Sequence, residues 1–454
     1  MVPNIWMHLL SSERFSHLLL CAIMTSDRDI HPSDASAMNL LETDPLRTLP
    51  DYEGNNFAHI PAFLATILGA RMASPLLPER FGLEAGQFEK VVFLFLDAFG
   101  WNQFNYFHQR RHRVVVKWME QGQVHKFTAM FPPTTAAHVT TFSTGQVVGE
   151  HGVFEWQYYE PEVDAVIVPL LFSYAGEKQR GTLRDAYIDA RDILPTETLA
   201  MKLKEAGISV YSFVPKEYLS TPYNQIMTRG AKVAGYRTVA GGLAALKRAI
   251  DRIKGPVLLH FYTPHIDGNA HELGPFDYRT LAEADATLLL LDRLLFHPLR
   301  GRDDVLFVIS ADHGQVRIDP EETFYYNLQP EFQELRCYLR ANHKGQILPP
   351  GGSPRDVFLY VREEYVGRAQ GLLRKMLGAR ADVLRIEQLI DAGLFGLKTP
   401  SARFRERVGN LVILPRGTGT VWWYEKKKFE LTMRGLHGGL SREEMEIPFI
   451  LYRP

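Results

Sequence analysis

The chain has 454 residues, 46% of them hydrophobic and 23% charged, enough apolar material for a sizeable core. A formal net charge of −1 offers no basic face, so nothing points to a nucleic acid partner. Two cysteines, Cys21 and Cys337, exclude a disulfide framework, fit a reducing, cytoplasmic setting, and leave histidines and carboxylates as the ligands for any metal.

Residues 1–54 read as a disordered leader or as a stretch ahead of the true start, with Met24 or Met38 as alternative first residues. Within it, "FSHLLLCAIMTS" is apolar over only about eight residues, against the roughly 20 that a membrane span needs. It has neither the basic start nor the small-residue exit of a good signal peptide, which leaves secretion as the weaker reading.

From residue 55 onward one catalytic domain is expected. "AHIPAFLATILGA" predicts a helix of the outer layer. "VVFLFLDAF" (91–99) is a near-continuous apolar run, the mark of a strand buried on both faces. "FPPTTAAHVTTFSTG" follows, with Pro132 and Pro133 stiffening the approach to an Ala-rich helix start. Further strand-like runs are "ISVYSFVP" (208–215), "PVLLHFYT" (256–263), "VLFVISAD" (305–312), "DVFLYV" (356–361) and "IPFILY" (447–452). Between them lie helical patterns. "PTETLAMKLKEAG" ends in Gly207 as a C-cap, and "DYRTLAEADATLLLLDRLLF" puts Leu281, Ala284, Leu288, Leu291 and Leu295 on one face. Such alternation predicts an α/β fold, a largely parallel central sheet covered on both sides. Gly/Pro-rich breaks set off a region of about 340–415 as a subsidiary lobe or an embellishment of the same sheet.

Open α/β sheets bind ligands beyond the carboxyl ends of their strands, so the polar groups delivered there carry the chemistry. The first strand ends in Asp97. The run at 256–263 leads into "TPHIDGNAHELGP" with Asp267 and His271, the run at 305 ends in Asp312 and His313, and His437 precedes the last strand. Each has an ordinary explanation: a helix cap, a solvated loop histidine, an i,i+4 contact. All of them recurring at one sheet edge is a coincidence too large to accept. Three Asp and three His suit divalent cations with N and O ligands, Zn²⁺ above all, and six ligands suit two ions. A nucleophile is offered by Thr134 or Thr135, either of which would meet an anion beside free N–H groups at a helix start; capping is the competing use of both.

The motifs "LDAFG", "FPPTTAAHVTTFSTGQVVGEHGV", "DGNAHELGP", "ADHGQ" and "GLHGGLSREEM", in this order, resemble the alkaline phosphatase superfamily, and within it the type I phosphodiesterase/nucleotide pyrophosphatase branch. The resemblance implies a three-layer α/β/α alkaline-phosphatase-like fold. It also implies that Asp97, Thr135, Asp312 and His313 hold one zinc, while Asp267, His271 and His437 hold the other. Thr135, by its distance to Thr144-Gly145, is then the nucleophile, and the histidine usual a little beyond it is shifted by one residue, at His138. In place of the asparagine that follows "HGV" in eukaryotic-type members stands Trp156, so nucleotide specificity does not transfer. His265 is expected to orient its neighbours or touch substrate, Arg355 is a candidate phosphate clamp, and Trp156, Tyr158, Tyr159 and residues 170–190 are candidates to shape the pocket.

The resulting expectation is hydrolysis of phosphodiester or pyrophosphate bonds in a small-molecule phosphate ester, through a phosphothreonine. The alternatives are a phosphomonoesterase or phosphonate hydrolase on the same scaffold, and a non-catalytic zinc-binding protein.

Overall fold

The computed structural model describes residue 41, residues 43–177 and residues 179–454; the leader's apolar stretch, Met24 and Met38 lie outside the described residues. The last part of the expected leader belongs to the packed body. Leu41 is buried, Arg47 pairs with Asp382, and the buried Tyr52 donates its hydroxyl to the Leu394 carbonyl at 3.1 Å. A boundary at residue 54 thus falls inside a packed segment, because these side chains cover apolar surface that would otherwise meet water.

Eleven strands place the site. In chain order they are β1 (Lys90–Leu96), β2 (Gln123–Thr128), β3 (Ser209–Pro215), β4 (Lys232–Tyr236), β5 (Val257–Thr263), β6 (Val305–Ser310), β7 (Gly351–Ser353), β8 (Asp356–Leu359), β9 (Ala381–Arg385), β10 (Leu411–Pro415) and β11 (Glu446–Tyr452). The main sheet has seven strands in the order β2-β11-β6-β1-β5-β3-β4. Its neighbours pair in parallel except at β11, which runs antiparallel to both β6 and β2. Every residue of β1, β5 and β6 is buried. Successive strand side chains point to opposite faces, so complete burial requires cover on both, which is the physical content of a three-layer sandwich.

The helices used below are α1 (Thr135–Thr144), α2 (Leu199–Glu205), α3 (Pro222–Met227), α4 (His265–Leu273) and α5 (Tyr278–Leu291). On α5 the expected face is inward, with Ala284, Leu288 and Leu291 fully buried. The expected helix of the outer layer runs Ile60–Ile67 and is buried at seven of its eight residues. It packs Phe63 against Phe81 and Phe449.

The "DVFLYV" run is not a strand of the main sheet. It forms β8 in a separate four-stranded antiparallel sheet of order β7-β8-β10-β9. Period-two alternation divides its residues between two cores: Val357, Leu359, Leu411 and Ile413 build a second one, while Phe358, Val412 and Leu414 join the main one. An apolar run buried on two faces reads the same whichever sheet holds it. No helix among the described residues is long and apolar enough to cross a membrane.

Candidate active site

β6, β1 and β5 are adjacent in the sheet and end side by side, so their carboxyl ends bring remote segments to one edge. Asp97 follows β1 directly. Asp312 and His313 come just after β6, where the chain leaves the sheet and both side chains turn to the same place. Glycine makes that exit possible: a Cβ on Gly314 would lie 2.1 Å from the Glu443 carbonyl oxygen, and one on Gly100 would lie 2.5 Å from the Gly314 Cα. After β5 the chain enters α4, whose i,i+4 spacing sets Asp267 and His271 on one face, with His271 Nε2 3.3 Å from Asp267 Oδ1. His437 closes the cluster, its ring stacked on that of His313 with centroids 3.6 Å apart.

These residues form two groups whose ligand atoms all lie within 4.8 Å of one another, Asp97-Asp312-His313 and Asp267-His313-His437. His313 belongs to both, where the family resemblance put it in the first alone. Its Nε2 is 3.6 Å from Asp97 Oδ1 and 3.3 Å from Asp312 Oδ2.

Proton placement on the histidines follows from their other nitrogen. Nδ1 of His271 donates to the Gly435 carbonyl at 2.8 Å, that of His437 to the Pro133 carbonyl at 2.8 Å, and that of His313 to the Gly314 carbonyl at 3.1 Å. A carbonyl can only accept, so in the neutral rings all three present the Nε2 lone pair to the cluster, the arrangement a metal-binding imidazole needs. Burial keeps the His313 ring neutral by pushing its pKa well down, and holds His437 down to about 4. Their contacts with aspartates are therefore neighbouring ligand atoms rather than ion pairs.

The carboxylates tell the same story from the other side. Asp97 and Asp312 are buried, and burial first, then neighbouring carboxylate charge, pushes Asp97 well above the usual range; Asp312 is pushed up to about 7 chiefly by burial. Asp312 Oδ2 has no hydrogen-bond partner. Among the described residues no lysine or arginine pairs with Asp97, Asp267 or Asp312. Buried acids without a cation, faced by the Nε2 atoms of three imidazoles, are a donor set that fits divalent cations taking N and O ligands.

α1 begins at this cluster. Thr134 is its N-cap: the buried hydroxyl accepts from Ala137 N at 3.4 Å and donates to the Phe154 carbonyl at 3.2 Å. The half-buried Thr135 hydroxyl instead faces the cluster, 3.2 Å from His313 Nε2 and 3.5 Å from Asp97 Oδ1. His138 is a strut. Its Nδ1 donates to the Thr134 carbonyl at 2.8 Å and its Nε2 accepts from Met130 N at 2.9 Å, pinning the "FPPTT" approach from inside the core.

Other expected residues take different places. Arg355 is 1% exposed and binds Glu444 through two contacts of 3.0 and 2.8 Å, so it is no phosphate clamp. A buried carboxylate already occupies the guanidinium, which leaves it no free fork for a phosphate. His265 contacts the Thr263 hydroxyl at 2.9 Å through Nδ1. A cavity of about 190 Å³ opens beside Thr135; Trp156, Leu170, Leu171 and Arg180 line it, while Tyr158 and Tyr159 are buried outside it. Two partners escaped sequence reasoning. Tyr262 donates to Asp97, and Gln315 Nε2 donates to Asp267 Oδ1 at 2.6 Å. Tyr262 sits in a strand-like run, "PVLLHFYT", where an aromatic residue is expected from strand propensity alone, and Gln315 directly follows "ADHG", where its adjacency is the one available signal.

The family model described as type I phosphodiesterase / nucleotide pyrophosphatase matches residues 91–440. Among solved structures, murine ectonucleotide pyrophosphatase/phosphodiesterase 5 is similar at 16% identity, over 80% of this chain and 88% of that one, with a TM-score of 0.57. An inactive form of the murine protein in complex with AMP is similar at 15% identity over the same shares, TM-score 0.57. Phosphonoacetate hydrolase from Sinorhizobium meliloti in complex with phosphonoformate is similar at 15% identity, over 81% of this chain and 91% of that one, TM-score 0.57. At these identities the likeness speaks for the fold alone. No curated protein matches the chain.

Proposed function

The chain belongs to the type I phosphodiesterase/nucleotide pyrophosphatase family, within the alkaline phosphatase superfamily, and is a phosphoric ester hydrolase; from that premise we propose that it cleaves phosphodiester or pyrophosphate bonds through a phosphothreonine on Thr135. The observation that carries this reading is the Thr135 hydroxyl at the start of α1, 3.2 Å from His313 Nε2, with the neighbouring Thr134 hydroxyl committed to capping.

Asp97, Thr135, Asp312 and His313 would hold one divalent cation, and Asp267, His271 and His437 the other, with zinc favoured by the donor set. Such cations supply Lewis acidity that lowers the pKa of a hydroxyl and offsets charge on phosphoryl oxygens. The chain's own contribution is positional. Thr135 Oγ, its proton released to solvent, forms a bond to phosphorus as the bond from phosphorus to the leaving oxygen breaks, and the leaving oxygen takes a proton from solvent. Water then adds to the same phosphorus, the phosphorus–Oγ bond breaks, and the threonine hydroxyl is restored. The Thr134 cap takes the Ala137 N–H, while the N–H groups of Thr135 and Ala136 have no acceptor within the helix and lie at its start, where they favour the developing negative charge. Tyr262 and Gln315 hold Asp97 and Asp267 in orientation.

Zinc-loaded protein assayed against bis-p-nitrophenyl phosphate, p-nitrophenyl phosphate and a phenylphosphonate ester is expected to favour the diester. Thr135→Ala should reduce turnover by at least about a thousandfold with the fold intact by circular dichroism, since it removes the nucleophile rather than a supporting contact. Acid-quenched wild-type enzyme should carry phosphate on Thr135 by mass spectrometry. Undiminished turnover in the alanine variant would end the covalent proposal.

A further inference from the structure

The cavity beside Thr135 is longer than a phosphoryl group needs. Thr135, Val139, Phe142 and Ser143 all line it, and they stand at i, i+4, i+7 and i+8 on one face of α1. At 1.5 Å per residue the cavity therefore follows the helix for about 12 Å below the nucleophile. His260, three residues before the end of β5 and so about 10 Å beneath the cluster, also lines it. Leu199 of α2 and Met227 of α3 form part of the remaining wall, while the exposed Trp156 and Arg180 mark its mouth.

Several polar groups in that wall are already satisfied from behind. The Thr221 hydroxyl donates to the Tyr218 carbonyl at 2.9 Å, the Thr228 hydroxyl to the Asn224 carbonyl at 2.7 Å, and the Tyr223 hydroxyl shares a 2.6 Å bond with Thr140. Ser212 Oγ lies 3.0 Å from His260 Nδ1. His260 Nε2, on a residue 7% exposed, has no partner, and the side chains of Ser143, Tyr218, Asn224 and Arg180 also reach the lining. The larger part of the lining is apolar, Val139, Phe142, Leu170, Val210, Val214 and Met227 among it, and hydroxyl and ring polar atoms of a nucleoside placed against those side chains would lose water without a partner in return. An alkyl chain has no such penalty, and burying each methylene is favourable.

We infer that this cavity takes an extended apolar arm borne on the substrate's phosphorus, so that the ester cleaved at Thr135 is a monomeric amphiphile rather than a nucleotide. The inference rests on the hydrolase reading above for its location and on the cavity for its chemistry, and the two are tested separately. Turnover is measured on zinc-loaded protein with methyl, butyl and octyl p-nitrophenyl phosphates and with the p-nitrophenyl ester of thymidine 5′-phosphate. Binding is measured by titration calorimetry with methylphosphonate and octylphosphonate, which have no bond to cleave. The expected gain is about threefold per buried methylene, so octyl should exceed methyl by at least a hundredfold in kcat/KM and in affinity, and should exceed the nucleotide ester. Ala231→Trp, placed on the wall at a half-exposed position, should bring the octyl to methyl ratio close to one in both readouts, with thermal unfolding checking the fold. Turnover without chain-length dependence would overturn the arm and leave the hydrolase. Tighter binding of octylphosphonate with no turnover of any ester would uphold the arm and overturn the hydrolase. Equal binding of the two phosphonates, or an undiminished octyl preference in Ala231→Trp, would overturn the assignment of this cavity.

Discussion

Glu155 and Asp356 are buried carboxyl groups in mutual contact, and burial raises both, Glu155 to about 8. The sign of the consequence is set by which state keeps the proton. Between the ordinary glutamate value and about 8, the folded chain holds a proton that the unfolded chain has released. The folded state then binds more protons, so this pair makes stability fall as pH rises through that window. Glu155→Gln keeps the shape and removes the titration. Urea unfolding at pH 5 and pH 8 is expected to show a smaller loss between the two in the variant than in the wild type; equal losses would mean that the pair does not share a proton. Single residues were unevenly legible in the sequence. Asp97, Asp312 and His313 stood out because polar groups interrupt apolar strands. Glu155 did not, since one acid in "HGVFEW" looks like any surface glutamate until its burial is known.

α1 and the loop around His437 are the elements that complete the cluster, and each is held by contacts invisible at the level of local pattern. The His437 loop is tied to β7 and β8: Ser353 Oγ donates to the His437 carbonyl at 3.2 Å, and Glu444 accepts from Gly439 N at 2.9 Å while pairing with Arg355. Arg355→Met leaves Glu444 buried without its counter-charge. The expected cost is about 3–5 kcal/mol by urea unfolding, the usual price of breaking a buried pair by removing one partner. A variant as stable as the wild type, with only a raised KM, would restore Arg355 as a ligand-binding residue. Thr134 and Thr135 show the limit of element-level reading. Two adjacent threonines at a helix start are equivalent in sequence, and the backbone, extended at Thr134 and helical from Thr135, turns one inward as a cap and leaves the other facing the cluster.

The whole molecule supplies the site, because its six Asp and His ligands come from four separate stretches of chain that the unfolded polymer does not hold together. A cation bound by all of them binds the folded state selectively and must stabilise it. Removing metal with a chelator is therefore expected to lower the unfolding temperature by several degrees, and adding back Zn²⁺ to restore it, on the scale of about 3 kcal/mol for a ligand at a hundred times its dissociation constant. An unchanged melting curve would argue against ion binding at the cluster.

Strand-forming runs, the helical face of α5 and the ligand-bearing motifs were determined by local sequence, because side-chain periodicity and a polar break in an apolar run are short-range signals. Strand order, the second antiparallel sheet, the ion pair that claims Arg355, and the depth of the cavity under Thr135 were decided only by tertiary structure. Each depends on which distant segment lies opposite, and an apolar or charged residue carries no mark of the neighbour that will bury it.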